Sequence, residues 1–378
     1  MIYLDNNATT PVDPRVRDAL LPFLGEKFGN PSSPHAPGRA ARAAVETARR
    51  QASALIGAKP DEIVFTSGGT ESINTAIRGA LAAQPGKRRI VTSSIEHSAT
   101  KNLCEQLARE GCEVTWLRVD AGGRPDLEEY RAALRDDTAV VSVIWANNET
   151  GVLFPVGEMA RIADERRIVF HADAVQAAGK VQIDLSRVPA HLLSFSAHKI
   201  HGPAGAGALF VRSGIGLPPL LFGGGQENGR RAGTENAPGI AGLGAAAELA
   251  GSALAGEMPR VARMRDAFEQ GVRARFPQAR FHGAPGLRLP NTSNFALPGL
   301  AATDLLAALD RLGVCCSVGS ACVSGSPHAS HVLRAMGVGE EEAKSSLRFS
   351  FSRMNTAADV DGALAALDEA VRRLGLGG

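Results

Sequence analysis

Of the seven lysines in this chain, Lys199 stands apart because it closes an apolar run, Leu192-Leu193-Ser194-Phe195-Ser196-Ala197-His198. An amine desolvated at the end of a buried strand has a depressed pKa and can form a Schiff base with a carbonyl compound. Read alone, Lys199 is equally a strand-end lysine reaching solvent. Asp173 ends the apolar run before it, Ile168-Val169-Phe170-His171-Ala172-Asp173, where a carboxylate could pair a pyridinium nitrogen. Ser67-Gly68-Gly69-Thr70 stands between a strand-like and a helix-like segment. Free backbone N–H groups and the helix dipole favour phosphate there. An ordinary glycine turn capped by Thr70 fits the same residues, and no Gly-Lys-Ser/Thr follows as it would in a Walker loop. Amine, carboxylate and phosphate-binding helix end together form the set by which proteins hold pyridoxal 5′-phosphate as an electron sink.

Three further groups could do chemistry. His97 follows a strand and could stack on a cofactor ring and relay protons, or be a hydrogen-bonded strand-end histidine. Cys322 lies in Ser317-Val318-Gly319-Ser320-Ala321-Cys322-Val323-Ser324-Gly325-Ser326, a segment too small-residued to bury a thiol. Arg348, in Ser345-Ser346-Leu347-Arg348-Phe349-Ser350-Phe351, suits a bidentate carboxylate clamp or an interdomain salt bridge. The other cysteines, Cys104, Cys112, Cys315 and Cys316, fall on apolar faces or runs and are read as packing residues. With no CxxC pair among the five, neither a zinc site nor a disulfide framework is expected.

The elements that must position these groups follow from periodicity. Short apolar runs alternate with helical patterns between residues 60 and 215, the signature of βαβ units and a mostly parallel sheet. Strands are expected at Glu62–Thr66, Arg89–Ser93, Glu113–Val119, Ala139–Trp145, Ile168–Ala172, Leu192–Ser196 and Ala208–Arg212, with helices near 71–83, 98–110, 127–135 and 156–166. In such sheets ligands bind beyond the carboxyl ends of the strands, so Ser67–Glu71, Glu96-His97, Asn147-Asn148-Glu149, Asp173–Gln176 and Ala197–Lys199 should converge. One or two long helices are expected from Gly239 toward Phe276, then a proline-punctuated stretch, Pro285 to Pro298, and a loop from Ser317 to Ser326.

Composition narrows the class. The chain has 378 residues and 41 basic against 39 acidic side chains, a net charge of +2 without long like-charge runs, so no footprint for nucleic acid or an anionic membrane is present. The opening Met1-Ile2-Tyr3-Leu4-Asp5 has no leader pattern, and no run of 18 apolar residues follows, so a soluble cytoplasmic protein is expected.

Over nearly its whole length the sequence resembles the cysteine desulfurases, class V aminotransferase-like enzymes of pyridoxal phosphate fold type I, in their nitrogen-fixation and iron–sulfur branch. The matching stretches are Tyr3–Thr10, Phe28–Ser32, Thr66–Ser72, Asn147–Glu149, Ser196–Lys199, Arg231–Thr234 and Gly319–Cys322. The resemblance implies an α/β fold, with a mainly parallel seven-stranded sheet in a large cofactor-binding domain (15–250) and a smaller α+β domain (1–14 and 251–378) carrying the catalytic cysteine loop. It implies that Lys199 holds pyridoxal 5′-phosphate, Asp173 pairs its ring nitrogen, Gln176 bonds its phenolic oxygen and His97 stacks on its ring. The phosphate would meet Gly69, Thr70, Ser196, His198 and, from the second subunit of a homodimer, Thr234. Asn148 and Arg348 would grip the substrate carboxylate. Cys322 would take sulfur from L-cysteine, leaving L-alanine and a persulfide passed to an iron–sulfur scaffold or another acceptor protein. A selenocysteine lyase or an aminotransferase of the same fold is the alternative. The sequence departs from the family pattern at Ala204, where lysine is common, and at Pro327-His328-Ala329 after the cysteine loop.

Overall fold

The computed structural model describes residues 1–318 and 329–375. The chain opens with β1 (Ile2–Tyr3), α1 (Pro14–Leu20) and α2 (Ala36–Leu55). Strands and helices then alternate: β2 (Ile63–Thr66), α3 (Gly69–Ala82), β3 (Arg89–Ser93), α4 (Ser98–Arg109), β4 (Glu113–Leu117), α5 (Leu127–Ala133), β5 (Thr138–Ile144), α6 (Val156–Glu165) and β6 (Val169–Asp173). Next come β7 (Leu192–Ser196), β8 (Gly207–Val211) and the long α7 (Ala237–Arg275). The last third holds β9 (Arg280–Phe281), β10 (Thr292–Ala296), α8 (Ala302–Arg311), β11 (Val314–Cys315), β12 (Ser317–Val318), α9 (His331–Ala335), α10 (Glu340–Lys344), β13 (Ser346–Ser350) and α11 (Ala357–Arg373).

Seven strands form the main sheet in the order β2-β8-β7-β6-β5-β3-β4. All its pairings are parallel except those of β8, which runs antiparallel to both β2 and β7. Every residue of β2, β3, β5, β7 and β8 is buried, because helices cover both faces, which is why these strands read as unbroken apolar runs. The parallel strands β3, β5, β6 and β7 therefore open their carboxyl ends on one edge, where the site lies. The expected strands and helices are all present, Arg89–Ser93 and Leu192–Ser196 at the expected bounds and the others with ends displaced by at most two residues.

A second core gathers Leu4, Val261, Phe268, Phe295, Phe349, Phe351 and Leu367 around the four-stranded sheet β12-β13-β10-β9. Phe295 and Phe349 stack at 5.6 Å between centroids, with Phe268 4.8 Å from Phe349. Helix α7 spans both cores: Ile240, Leu243 and Ala247 belong to the first, and Val261, Phe268 and Val272 to the second. It is the helix, among the described residues, long and apolar enough to cross a bilayer, and 44% of that apolar window is buried within the protein.

Three expectations need correction. The Pro285–Pro298 stretch contains β10, a wholly buried strand between β13 and β9, whose polar Thr292, Ser293 and Asn294 masked it. Ser317 and Val318 are strand rather than loop, paired with Arg348 and Leu347. Cys112, which leads into the edge strand β4, and Cys315, at the end of the two-residue strand β11, are only half-buried.

Candidate active site

A cleft of about 370 Å³ opens at the carboxyl ends of the parallel strands, lined by residues of α3, the β3–α4 and β6–β7 connections, the segment after β7, β13 and the N-terminal segment. Its size suits a small cofactor with a substrate. Helix α3 begins there without a side-chain cap, so its first-turn amides are left to serve a ligand. The backbone must come close: Gly68 has φ +153°, and a Cβ on Gly207 would lie 2.5 Å from Gly68 Cα. A Cβ on Gly69 would come within 2.7 Å of Val175 Cγ2, so the cradle accepts only glycine without something moving.

Lys199 follows β7, and its Nζ donates to the carbonyls of Asn7 and Ala8, both at 2.6 Å. Asp173, the last residue of β6, accepts from the Val175 N–H at 3.0 Å. Burial pushes the Asp173 carboxyl up to about 6 against the opposing effects of that hydrogen bond and of Lys199. A cationic N–H donor laid against this carboxylate would favour its ionised form. His97 caps α4, its Nδ1 accepting from the Ala99 N–H at 3.1 Å, which puts the ring proton on Nε2. Burial, then Lys199 and His331, hold His97 down near 4; burial, Lys199, Lys180 and His97 do the same for His198, so both rings are neutral at pH 7.

The remaining polar walls are tied together by Asn7. Its carbonyl accepts from Gln176 Nε2 at 2.8 Å, and its Nδ2 donates to the Asn148 carbonyl and to Thr292 Oγ1 at 3.1 and 2.9 Å. Arg348 is 2% exposed; its Nη2 donates to Asp5 Oδ1 at 2.7 Å and its Nη1 to the Asn148 carbonyl at 3.0 Å, while its Nε has no partner among the described residues. Arg348 thus belongs to the cleft wall and to an ion pair at once. Behind Asn148, Glu149 accepts from Ser330, the cap of α9.

Of the residues the sequence singled out, Gly69, Thr70, His97, Asn148, Asp173, Gln176, Ser196, His198, Lys199 and Arg348 all line this cleft. Thr234 does not: in the single chain it lies in another crevice with Phe65, Ser67, Arg231 and Asn236. Cys322 falls outside the described residues. Sequence reading passed over Asn7, Ala8, Ile73 and Ile144 as lining residues. The polar run Asp5-Asn6-Asn7, separated from β1 by Leu4 alone, was the available signal for the first of these. The donor set fits pyridoxal 5′-phosphate: an uncapped helix start for phosphate, a buried carboxyl for the ring nitrogen and a lysine amine at cleft depth. No cluster of metal-ligating side chains occurs among the described residues.

Residues 2–362 match the family described as Aminotransferase class-V. A cysteine desulfurase of Cereibacter sphaeroides is 52% identical over 375 residues, covering 99% of this chain and 96% of its own. The solved structure of a NifS-like protein superposes with a TM-score of 0.93 at 36% identity, covering 98% of this chain and 99% of its own. A second, titled SspA in complex with cysteine, gives 0.83 at 34% identity over 94% of this chain and 100% of its own.

Proposed function

The chain belongs to the class-V aminotransferase family and is a pyridoxal phosphate-dependent cysteine desulfurase, and we propose how its residues divide the work. Bound in the cleft, the cofactor supplies an electron sink for the substrate Cα, which loosens the carbon–sulfur bond of L-cysteine. Lys199 Nζ carries the cofactor and moves the Cα proton, starting from the carbonyls of Asn7 and Ala8 that orient it. Asp173 would pair the ring nitrogen, Gln176 would bond the phenolic oxygen, and the neutral His97 would stack on the ring. The α3 start, with Gly69, Thr70, Ser196 and His198, holds the phosphate, and Asn148 and Arg348 hold the substrate carboxylate. The Cys322 thiolate then attacks the substrate sulfur: a sulfur–sulfur bond forms, the carbon–sulfur bond breaks, and L-alanine and a persulfide result.

What carries this reading is the meeting of Lys199, Asp173, Arg348 and the α3 start in one cleft. The active form in this reading is a homodimer in which Thr234 reaches the second copy's phosphate. Phe222 and Phe28, 86% and 78% exposed, offer apolar surface for such a contact. We divide the chain into the large domain 15–250 and the small domain 1–14 with 251–378. The cytoplasm is the site of action, and an iron–sulfur scaffold or another acceptor protein takes the persulfide.

Two measurements test it. Borohydride reduction of the loaded enzyme followed by peptide mapping should label Lys199. Cys322→Ala should keep the cofactor's visible band while cysteine-dependent alanine and persulfide formation disappear. A label on another lysine, or undiminished alanine release by the variant, would overturn the assignment.

A further inference from the structure

Lys180 is buried directly behind this machinery. Its Nζ donates to Gln176 Oε1 at 2.6 Å and to Asn7 Oδ1 at 3.3 Å. The chain reaches this position by winding after β6: Ala178 N–H bonds the Ala174 carbonyl and Lys180 N–H that of Ala177, so Gln176 and Lys180, four residues apart, share a face. Gly179 makes the turn at φ +72°, where a Cβ would come 2.8 Å from Ile200 and 2.9 Å from Ala250.

Packing alone does not account for an amine here. Among the described residues no carboxylate forms an ion pair with it, and the charged or titratable groups that act on it are basic: Lys199, Arg348, His198 and His201. Burial, with Lys199 and Arg348, holds the Lys180 amine well below the ordinary lysine range. A methionine would fill such a space without that cost. What the amine contributes is donors, which it retains in either protonation state.

That property fixes Gln176. A donor at Lys180 must face the amide oxygen, which leaves the amide nitrogen toward Asn7 and the cleft. Nε2 has two hydrogens, of which the Asn7 carbonyl uses one at 2.8 Å. The same carbonyl takes Lys199 Nζ, and Asn7 Oδ1 is held by Lys180 and by Asn291 Nδ2 at 3.0 Å. We infer that Lys180 is a positioning residue of the reaction, which orients the Gln176 amide donor into the cleft and, through that amide, the Asn7 carbonyl that holds Lys199. The inference rests on the reading above in which Lys199 carries the cofactor.

The test uses the full chain loaded with pyridoxal 5′-phosphate, comparing the parent with Lys180→Met and Lys180→Gln, each also in a Gln176→Ala background. The spectroscopic readout is the midpoint pH at which the visible band of the Lys199-linked cofactor changes. Losing the Gln176 donor and any positive field of Lys180 both favour the protonated linkage, so Lys180→Met should raise that midpoint by about half a pH unit or more. Its kcat for L-cysteine should fall about tenfold with KM changed less than about threefold, and in the Gln176→Ala background the further loss should be under about twofold. Lys180→Gln, which keeps an N–H donor, should stay closer to the parent. A parent-like midpoint in Lys180→Met, or losses that add fully to those of Gln176→Ala, overturns the inference. If Lys180→Met does not fold, Lys180→Gln decides: a midpoint and kcat close to the parent's, or a loss that vanishes in the Gln176→Ala background, upholds it, and a loss that persists there overturns it. Failure of the desulfurase reading would appear separately, as absence of alanine release by the parent.

Discussion

Replacing Gly69 by alanine is a minimal perturbation whose cost can be worked from the cleft. The added Cβ would sit 2.7 Å from Val175 Cγ2, whereas carbon–carbon contact is comfortable from about 3.5 Å. Val175 or the first turn of α3 must therefore retreat by roughly 0.8 Å. Val175 is poorly placed to do so, because its N–H is bonded to Asp173 Oδ1 at 3.0 Å and its side chain lines the cleft. Overpacking of this kind costs about 1–3 kcal/mol. The chain without cofactor can relieve it by shifting the α3 start, but a bound phosphate needs those amides in place, so the strain should fall on binding. The dissociation constant for pyridoxal 5′-phosphate is then expected to rise about 5- to 150-fold. Titrating the apoprotein with cofactor, followed by the visible band, measures this for the parent, Gly69→Ala, and the double variant Gly69→Ala with Val175→Ala. The double variant should recover at least half of the lost affinity on a logarithmic scale. Binding by Gly69→Ala within twofold of the parent, or no recovery in the double variant, would refute the reasoning.

Two other expectations follow from the geometry and electrostatics. Arg348→Lys keeps a charge but loses the planar fork held by Asp5 and the Asn148 carbonyl, so KM for L-cysteine should rise about 10- to 100-fold while cofactor loading is retained; a KM within twofold of the parent would place the substrate carboxylate elsewhere. Glu96 is buried with Oε1 accepting from Ser93 Oγ and the Ile144 N–H at 2.9 Å, and burial pushes its carboxyl up to about 8. Because the folded-state value lies above the ordinary one, its contribution to stability is full below about 4.5 and is lost as pH rises through 8. Glu96→Gln, which mimics the protonated acid, should flatten the fall in unfolding free energy over that window, a slope that one proton limits to about 1.4 kcal/mol per pH unit. Parallel pH–stability curves for parent and variant, from chemical denaturation, would contradict it.

How much of this was readable beforehand differs residue by residue. The strands of the main sheet announced themselves because helices bury both of their faces, so selection for apolar side chains acts at consecutive positions rather than alternate ones. With the strands placed, Asp173, Lys199 and His97 fell at their carboxyl ends, where an open parallel sheet binds ligands. Strand β10 went unread for the opposite reason. Its Thr292 and Asn294 are buried but polar, because they bond Asn7 and the Glu149 carbonyl rather than packing as hydrocarbon.

The order of motifs along the chain was therefore enough to determine the fold class and the type of cofactor and to bring Lys199 to the cleft, since each depends on local chemistry at a strand end. Tertiary structure alone decided what orients those groups. Asn7 reaches Gln176, Lys199, Asn291 and Ser350 across 169, 192, 284 and 343 positions of sequence. Arg348 meets Asp5 over a similar span. No periodicity encodes such contacts; they exist because the amino-terminal segment is threaded between the two cores, where its backbone carbonyls and short amide side chains face buried donors that have little water to pair with.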